Sequence, residues 1–136
     1  MDSDRKMLTK EQWETVKKAA LNPCRGAELM IDGYHISLYL VPTSPYKSEL
    51  AVYVDGVIDG KKILEDCEER RRFYRPVVKC ILPAKPPKGV GKSQWETERK
   101  KRQYTAYYPF WTNFTALRRH LVKNNHNIEI AEKGEI

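Results

Sequence analysis

The chain has 136 residues, 40% of them hydrophobic and 32% charged, with 25 Lys or Arg against 18 Asp or Glu for a net charge of +7. That composition suits one ordinary domain and excludes wholesale disorder, and no run approaches the roughly 18 apolar residues of a membrane span. Three cysteines, Cys24, Cys67 and Cys80, contain no C-x-x-C pair, which argues against a zinc site or disulfide framework and fits a reduced, cytoplasmic chain; residues 1–6 lack the apolar core of a secretory signal, so export is not expected.

The first expected element is a helix capped by Thr9, with Gln12 at the reciprocal position of a capping box and Leu8 placed to staple onto Trp13. Trp13, Val16 and Ala20 form one apolar stripe, and Asn22-Pro23 ends the helix. Strands follow at 29–31 and 34–41, joined by Asp32-Gly33, a pair that tolerates the positive φ angles of a tight primed turn. On the longer strand Ile36, Leu38 and Leu40 share one face, and His35, Ser37 and Tyr39 the other. Residues 42–47 are expected to form a loop and 50–54 a third strand. Asp55-Gly56 then turns into a short fourth strand around Val57 and Ile58.

A charged helix is predicted over 63–72, with Leu64 and Cys67 facing in, acids first and bases last, as the helix dipole favours. A strand is predicted over 77–82. Residues 83–92, with three prolines, two glycines and three lysines, describe a mobile basic loop. Ser93 and Glu96 suggest a second capping box, opening a helix to about Gln103 with Glu96–Lys100 and Glu98–Arg102 pairs and little to anchor it but Trp95. Thr112 is placed to cap a last helix with Phe114, Leu117 and Leu121 inward and Arg119 and Lys123 outward; Asn124-Asn125 ends it, and 127–130 alternates like an edge strand. The expected fold is therefore α+β: an antiparallel β-meander of about four to five strands, packed by an N-terminal and a C-terminal helix, in a single domain spanning 1–136.

The charge is uneven. Residues 70–123 hold fifteen Lys or Arg and only Glu96 and Glu98, a net +13, so the remainder carries −6. Such a stretch can build a cationic face that holds polyanions by releasing their counterions. The candidate contacts are Arg70, Arg71, Arg72, Lys100, Lys101, Arg102, Arg118, Arg119 and Lys123. Six aromatics fall within 104–114, and Trp95, Tyr107, Tyr108 and Phe110 are candidates for base stacking or for anchoring a protein partner.

Other motifs carry less. Gly89-Val90-Gly91-Lys92-Ser93 resembles the end of a phosphate-binding loop, but Pro86 stands where that loop needs glycine and prolines precede it where a strand should be. Asp32, Asp55 and Asp59-Gly60-Lys61 faintly resemble the acids and lysine of metal-dependent nucleases, yet all three acids precede glycine and are explained as turn formers. A helix-turn-helix over 93–124 fails on its long connector and Pro109. No catalytic residue, cofactor or metal is nominated.

Glu11-Gln12-Trp13, Asp32-Gly33-Tyr34, Val52-Tyr53-Val54-Asp55-Gly56, the Cys67–Phe73 and Tyr107–Thr112 blocks and Leu117-Arg118-Arg119-His120-Leu121 resemble small accessory proteins of tailed phages and prophages. The resemblance covers most of the chain except 83–103. It implies an accessory product in the bacterial cytoplasm, of a kind that binds host proteins or nucleic acid, defence complexes included, and it carries over no active site. Three functions are thus expected in order: a non-catalytic protein binding nucleic acid or a nucleoprotein complex through its basic surface; an inhibitor or adaptor docking on a host defence protein through its aromatic C-terminal block; and, remotely, a metal-dependent nuclease.

Overall fold

Thr9 and Gln12 close the expected capping box: the Gln12 amide donates to Thr9 Oγ1 (3.2 Å) and the Thr9 amide to Gln12 Oε1 (2.8 Å). They start helix α1 (Lys10–Ala20) in the computed structural model of the protein, which describes residues 6–131. The start considered for a secretory signal lies, through residue 5, outside the described residues. Strand β1 (Ala27–Ile31) turns through Asp32 and Gly33, both at positive φ (47° and 88°), into β2 (Tyr34–Ser44), and β3 (Lys47–Val54) pairs with β2 in turn. Two short strands complete the sheet: β6 (Phe110–Trp111) beside β3, and β7 (Ile128–Ile130) beside β1. The order is β6-β3-β2-β1-β7, antiparallel throughout, so the fold is α+β as expected, with β1–β2–β3 as the meander and β6 and β7 added at its edges by longer connections.

One face of this sheet is the core. Leu29, Ile31, Ile36, Leu38, Leu50, Val52 and Val54 pack beneath Trp13, Val16 and Ala20 of α1 and Phe114, Leu117 and Leu121 of α5 (Phe114–Asn124). Trp13 and Phe114 meet edge to face at 6.3 Å, which locks the two helices together over the sheet. Each of these large side chains contributes about 1.5–3 kcal/mol by leaving water.

Several local expectations are corrected. Residues 42–47 are not a loop: β2 and β3 run on to a two-residue connection, Pro45-Tyr46, and Pro42 is accommodated beside a register shift, where a missing amide costs little. The fourth strand at Val57 is a single bridge to Val54, after which Asp59 caps helix α2 (Gly60–Leu64). The predicted 63–72 helix is two helices, α2 and α3 (Glu68–Phe73), separated by extended backbone at Glu65 and Cys67. Leu64 faces solvent, so no continuous apolar stripe holds the two as one rod. Asn113, not Thr112, caps α5, accepting from the Thr115 and Ala116 amides.

The strand expected at 77–82 is β4 (Arg75–Cys80), and it does not join the meander. It pairs with β5 (Gln103–Tyr108) in a separate two-stranded ribbon, and α4 (Lys92–Lys101) lies between them in sequence. Cys24, Cys67 and Cys80 are free thiols. Among the described residues no helix is long and apolar enough to cross a membrane.

Candidate nucleic-acid interface

Strand alternation places Arg75, Lys79, Tyr104 and Tyr108 on one face of the β4–β5 ribbon, because Arg75 registers against Tyr108 and Lys79 against Tyr104. The Arg75 guanidinium lies 5.5 Å from the centre of the Tyr108 ring and donates from Nε to the Phe110 carbonyl (2.9 Å). Lys79 Nζ sits 4.9 Å from the same ring, and hydrogen bonding to the Tyr108 hydroxyl pushes the ammonium above its ordinary range, so it stays charged. The result is a ribbon face of fixed cations interleaved with phenol rings.

The rest of this arm adds charge without neutralising it. From 75 to 102 there are nine Lys or Arg and two Glu, a net +7 that equals the charge of the entire chain, so everything outside the arm sums to zero. Lys85, Lys88, Lys92, Lys100 and Arg102 are exposed and form no ion pair among the described residues. The arm is also held together. Trp95 Nε1 donates to the Pro83 carbonyl (2.9 Å), Cys80 Sγ to the Arg99 carbonyl (3.2 Å) and the Ile81 amide to the Arg102 carbonyl (3.3 Å). The Ser93–Glu96 capping box does not form, since the helix starts two residues earlier, at Lys92, with Gly91 at its cap. The expected Glu96–Lys100 and Glu98–Arg102 pairs are replaced by Glu98–Lys101 at 3.7 Å.

The nominated cations are divided between roles. Arg70, Arg71 and Arg72 do not form one clamp, because neighbours on a helix point about 100° apart. Arg70 stacks on Tyr107 at 4.5 Å and donates to the Ile63 carbonyl. Arg72 reaches Asp32 (2.9 Å) and Glu68 (2.6 Å), while the half-exposed Arg71 pairs with Asp66. Lys100, Lys101 and Arg102 end α4 in solvent. Arg118, Arg119 and Lys123 are brought together along α5 around a shallow concavity of about 580 Å³, with Arg118 over the Trp13 ring at 5.3 Å. Of the nominated aromatics, Trp95 ties down α4, Tyr107 and Tyr108 carry cations, and Phe110 pairs with Ala51 in the main sheet. The arm adds Arg75, Lys79, Lys85, Lys88, Lys92 and Tyr104 to the nominated set. The alternation of Arg75 and Lys79 was the signal for two of them, visible once the strand is paired.

The three candidate metal-binding acids stand apart. Asp32 accepts the His126 and Asn127 amides (both 2.7 Å), Asp55 the His35 amide and Asp59 the Lys61 amide. Among the described residues no three His, Cys, Asp or Glu side chains converge on a point that could hold a metal ion. Compared with family models, curated proteins and solved structures, the chain matches none.

Proposed function

We propose that the chain binds nucleic acid through the β4–α4–β5 arm, as a non-catalytic accessory protein of the tailed-phage type acting in the bacterial cytoplasm. The observation that carries this reading is the arm's +7 beside a remainder that sums to zero. A concentrated set of cations, all but Lys101 without an ion pair among the described residues, gains affinity by displacing condensed counterions from a phosphate backbone. The ribbon supplies a shape as well: a two-stranded β-ribbon fits the major groove of B-form DNA, whereas the A-form groove of duplex RNA is too narrow to admit it. Arg118, Arg119 and Lys123 offer phosphate contacts on α5. The substrate favoured is duplex DNA.

Titrating labelled duplex DNA, single-stranded DNA and duplex RNA at several salt concentrations tests this. Duplex DNA is expected to bind tightest, with affinity falling steeply as salt rises; failure of all three to bind at low salt overturns the proposal. A protein partner is the competing reading, favoured by Val78 and Ile81, which are 64% and 72% exposed on and beside the ribbon. A pull-down from nuclease-treated bacterial lysate separates the two, because only a protein partner survives that treatment.

A further inference from the structure

The face of the main sheet turned away from the helices carries a different chemistry from the arm. Glu28 on β1, Ser37 on β2 and Tyr53 on β3 lie in one row across three strands, and His35 and Tyr39 flank Ser37 on the same face. Glu28 is the hub of this group. Its Oε1 accepts from the Tyr39 hydroxyl and its Oε2 from Ser37 Oγ, both at 2.5 Å. His35 Nε2 lies 3.3 Å from the same Oε2 without the alignment of a hydrogen bond, and it is buried with no other partner. The Glu28 side chain is 6% exposed, at the floor of a cavity of about 870 Å³.

Two properties of that cavity select its occupant. On a chain of net charge +7, its lining contains no Lys or Arg and two carboxylates, Glu28 and Asp55. Its walls are apolar or aromatic, including Met30 and the Tyr39 and Tyr53 rings, which meet edge to face at 5.9 Å. The Ser37 and Tyr39 hydroxyls spend their protons on Glu28, so they present lone pairs to any ligand, and together with the carboxylate they set three acceptor groups beside the His35 ring. Two neutral donors reduce the cost of burying a carboxylate but supply no positive charge, and a neutral His35 beside it supplies none either. An anionic ligand would meet like charge with no fixed cation to hold it. A nitrogen cation would supply both the charge and the donors, with aromatic rings beside it to favour it further.

We propose that this cavity binds a small organic cation, an ammonium or amidinium group on an apolar frame, with Glu28 as counter-ion, Ser37 and Tyr39 as orienting acceptors and Tyr53 as the aromatic wall. The volume lies within the usual range of small-molecule sites. The site is independent of the nucleic-acid arm and stands or falls separately from it.

The experiment uses the full chain with benzamidinium, phenethylammonium and the neutral isostere benzamide, each at millimolar concentration, followed by amide chemical shifts and by thermal stability. Both cations are expected to shift residues 28, 35, 37, 39 and 53 saturably and to raise the melting temperature. Benzamide should bind at least about tenfold more weakly, as should benzamidinium to Glu28→Gln, the loss typical of a charged hydrogen-bonded contact. Absence of saturable shifts with both cations, or equal affinity for benzamidinium and benzamide, overturns the proposal. Because that second comparison is made within the unsubstituted chain, it decides the matter even if Glu28→Gln fails to fold.

Discussion

Gly26 lies against the ring of Tyr39 so closely that a Cβ built on it would stand 2.2 Å from two of the ring carbons. Its φ of +81° is a second reason for glycine, and its amide donates to the Ala19 carbonyl at the end of α1. The chain therefore leaves helix α1 at a point fixed by a residue of the open sheet face. Gly26→Ala should cost about 1–3 kcal/mol from backbone strain alone, with a further loss as the Tyr39 ring is displaced and its hydroxyl leaves Glu28. Gly33→Ala is the control, since its φ is +88° but a Cβ there meets nothing within 4 Å. Urea unfolding of both variants should show Gly26→Ala to be the more destabilised; equal losses would mean that the Tyr39 ring gives way at no cost.

The arm's terminal cations can be removed without touching the core. Lys100, Lys101 and Arg102 are exposed, and among the described residues their only ion pair is the Lys101–Glu98 bridge on the helix surface. Their joint replacement by Ala should change stability by no more than about 0.5 kcal/mol per site. The slope of log affinity for duplex DNA against log salt should become shallower by about 2–3, roughly 0.9 for each phosphate that the variant no longer neutralises. Chemical unfolding and binding isotherms on the same preparation give both quantities. An unchanged slope would show that this end of α4 does not touch the backbone.

Local signals were legible in the sequence, and long-range ones were not. Thr9 with Gln12, Asp32-Gly33 and the Phe114-Leu117-Leu121 stripe each act within a few residues, and each formed the element its chemistry favours. The pairing of Arg75 with Tyr108 and of Cys80 with Gln103 spans a proline-rich segment and a helix, and no local pattern sets such a register. The arginine run at 70–72 resembles one cationic patch in sequence, but helix rotation sends Arg70 onto Tyr107 and Arg72 onto Asp32. The open-face cavity was half visible. His35, Ser37 and Tyr39 alternate as a polar strand face should, but β1 begins two residues before its apolar run, and that extension is what sets Glu28 opposite Ser37.

Arg72 and Asp32 join α3 to the β1–β2 turn, so the pair is a structural clamp. Arg72→Ala should destabilise the fold by about 1–3 kcal/mol, the usual cost of losing a charged hydrogen bond that is mostly out of water. Burial alone would raise the Asp32 carboxyl, but the His126 and Asn127 amides and the Arg72 guanidinium outweigh it and hold the group below its ordinary value near 3.8. A carboxyl depressed in the folded state contributes stability that is complete above its unfolded value and lost as pH falls through its folded one. Asp32→Asn should therefore be less stable near neutrality and show a shallower fall of stability with acid below about pH 4. Unfolding curves at graded acid pH measure this, and parallel curves for the two proteins would refute it.

His120 is tied to the other end of the same joint. Its Nε2 lies 2.9 Å from the Arg71 carbonyl, which can only accept, so Nε2 carries the proton and Nδ1 is left to accept from Asn124 Nδ2 at 3.2 Å. The ring lies 5.1 Å from that of Trp111, and the neutral imidazole is satisfied on both sides. Burial lowers its pKa below the ordinary 6.5, the Arg71 carbonyl opposes that shift, and nearby Lys123 adds to it. Between its folded and unfolded pKa values the unfolded chain therefore binds more protons, so stability is complete above about pH 6.5 and falls as the solution is acidified through that window. His120→Gln keeps a donor for the Arg71 carbonyl but cannot titrate. Its loss of stability between about pH 7.5 and about pH 5.5 should be smaller than that of the unsubstituted chain, whatever its stability at the upper pH. Equal losses in the two proteins would mean that a proton on Nδ1 is accommodated beside Asn124, and the neutral imidazole would no longer be what the fold requires.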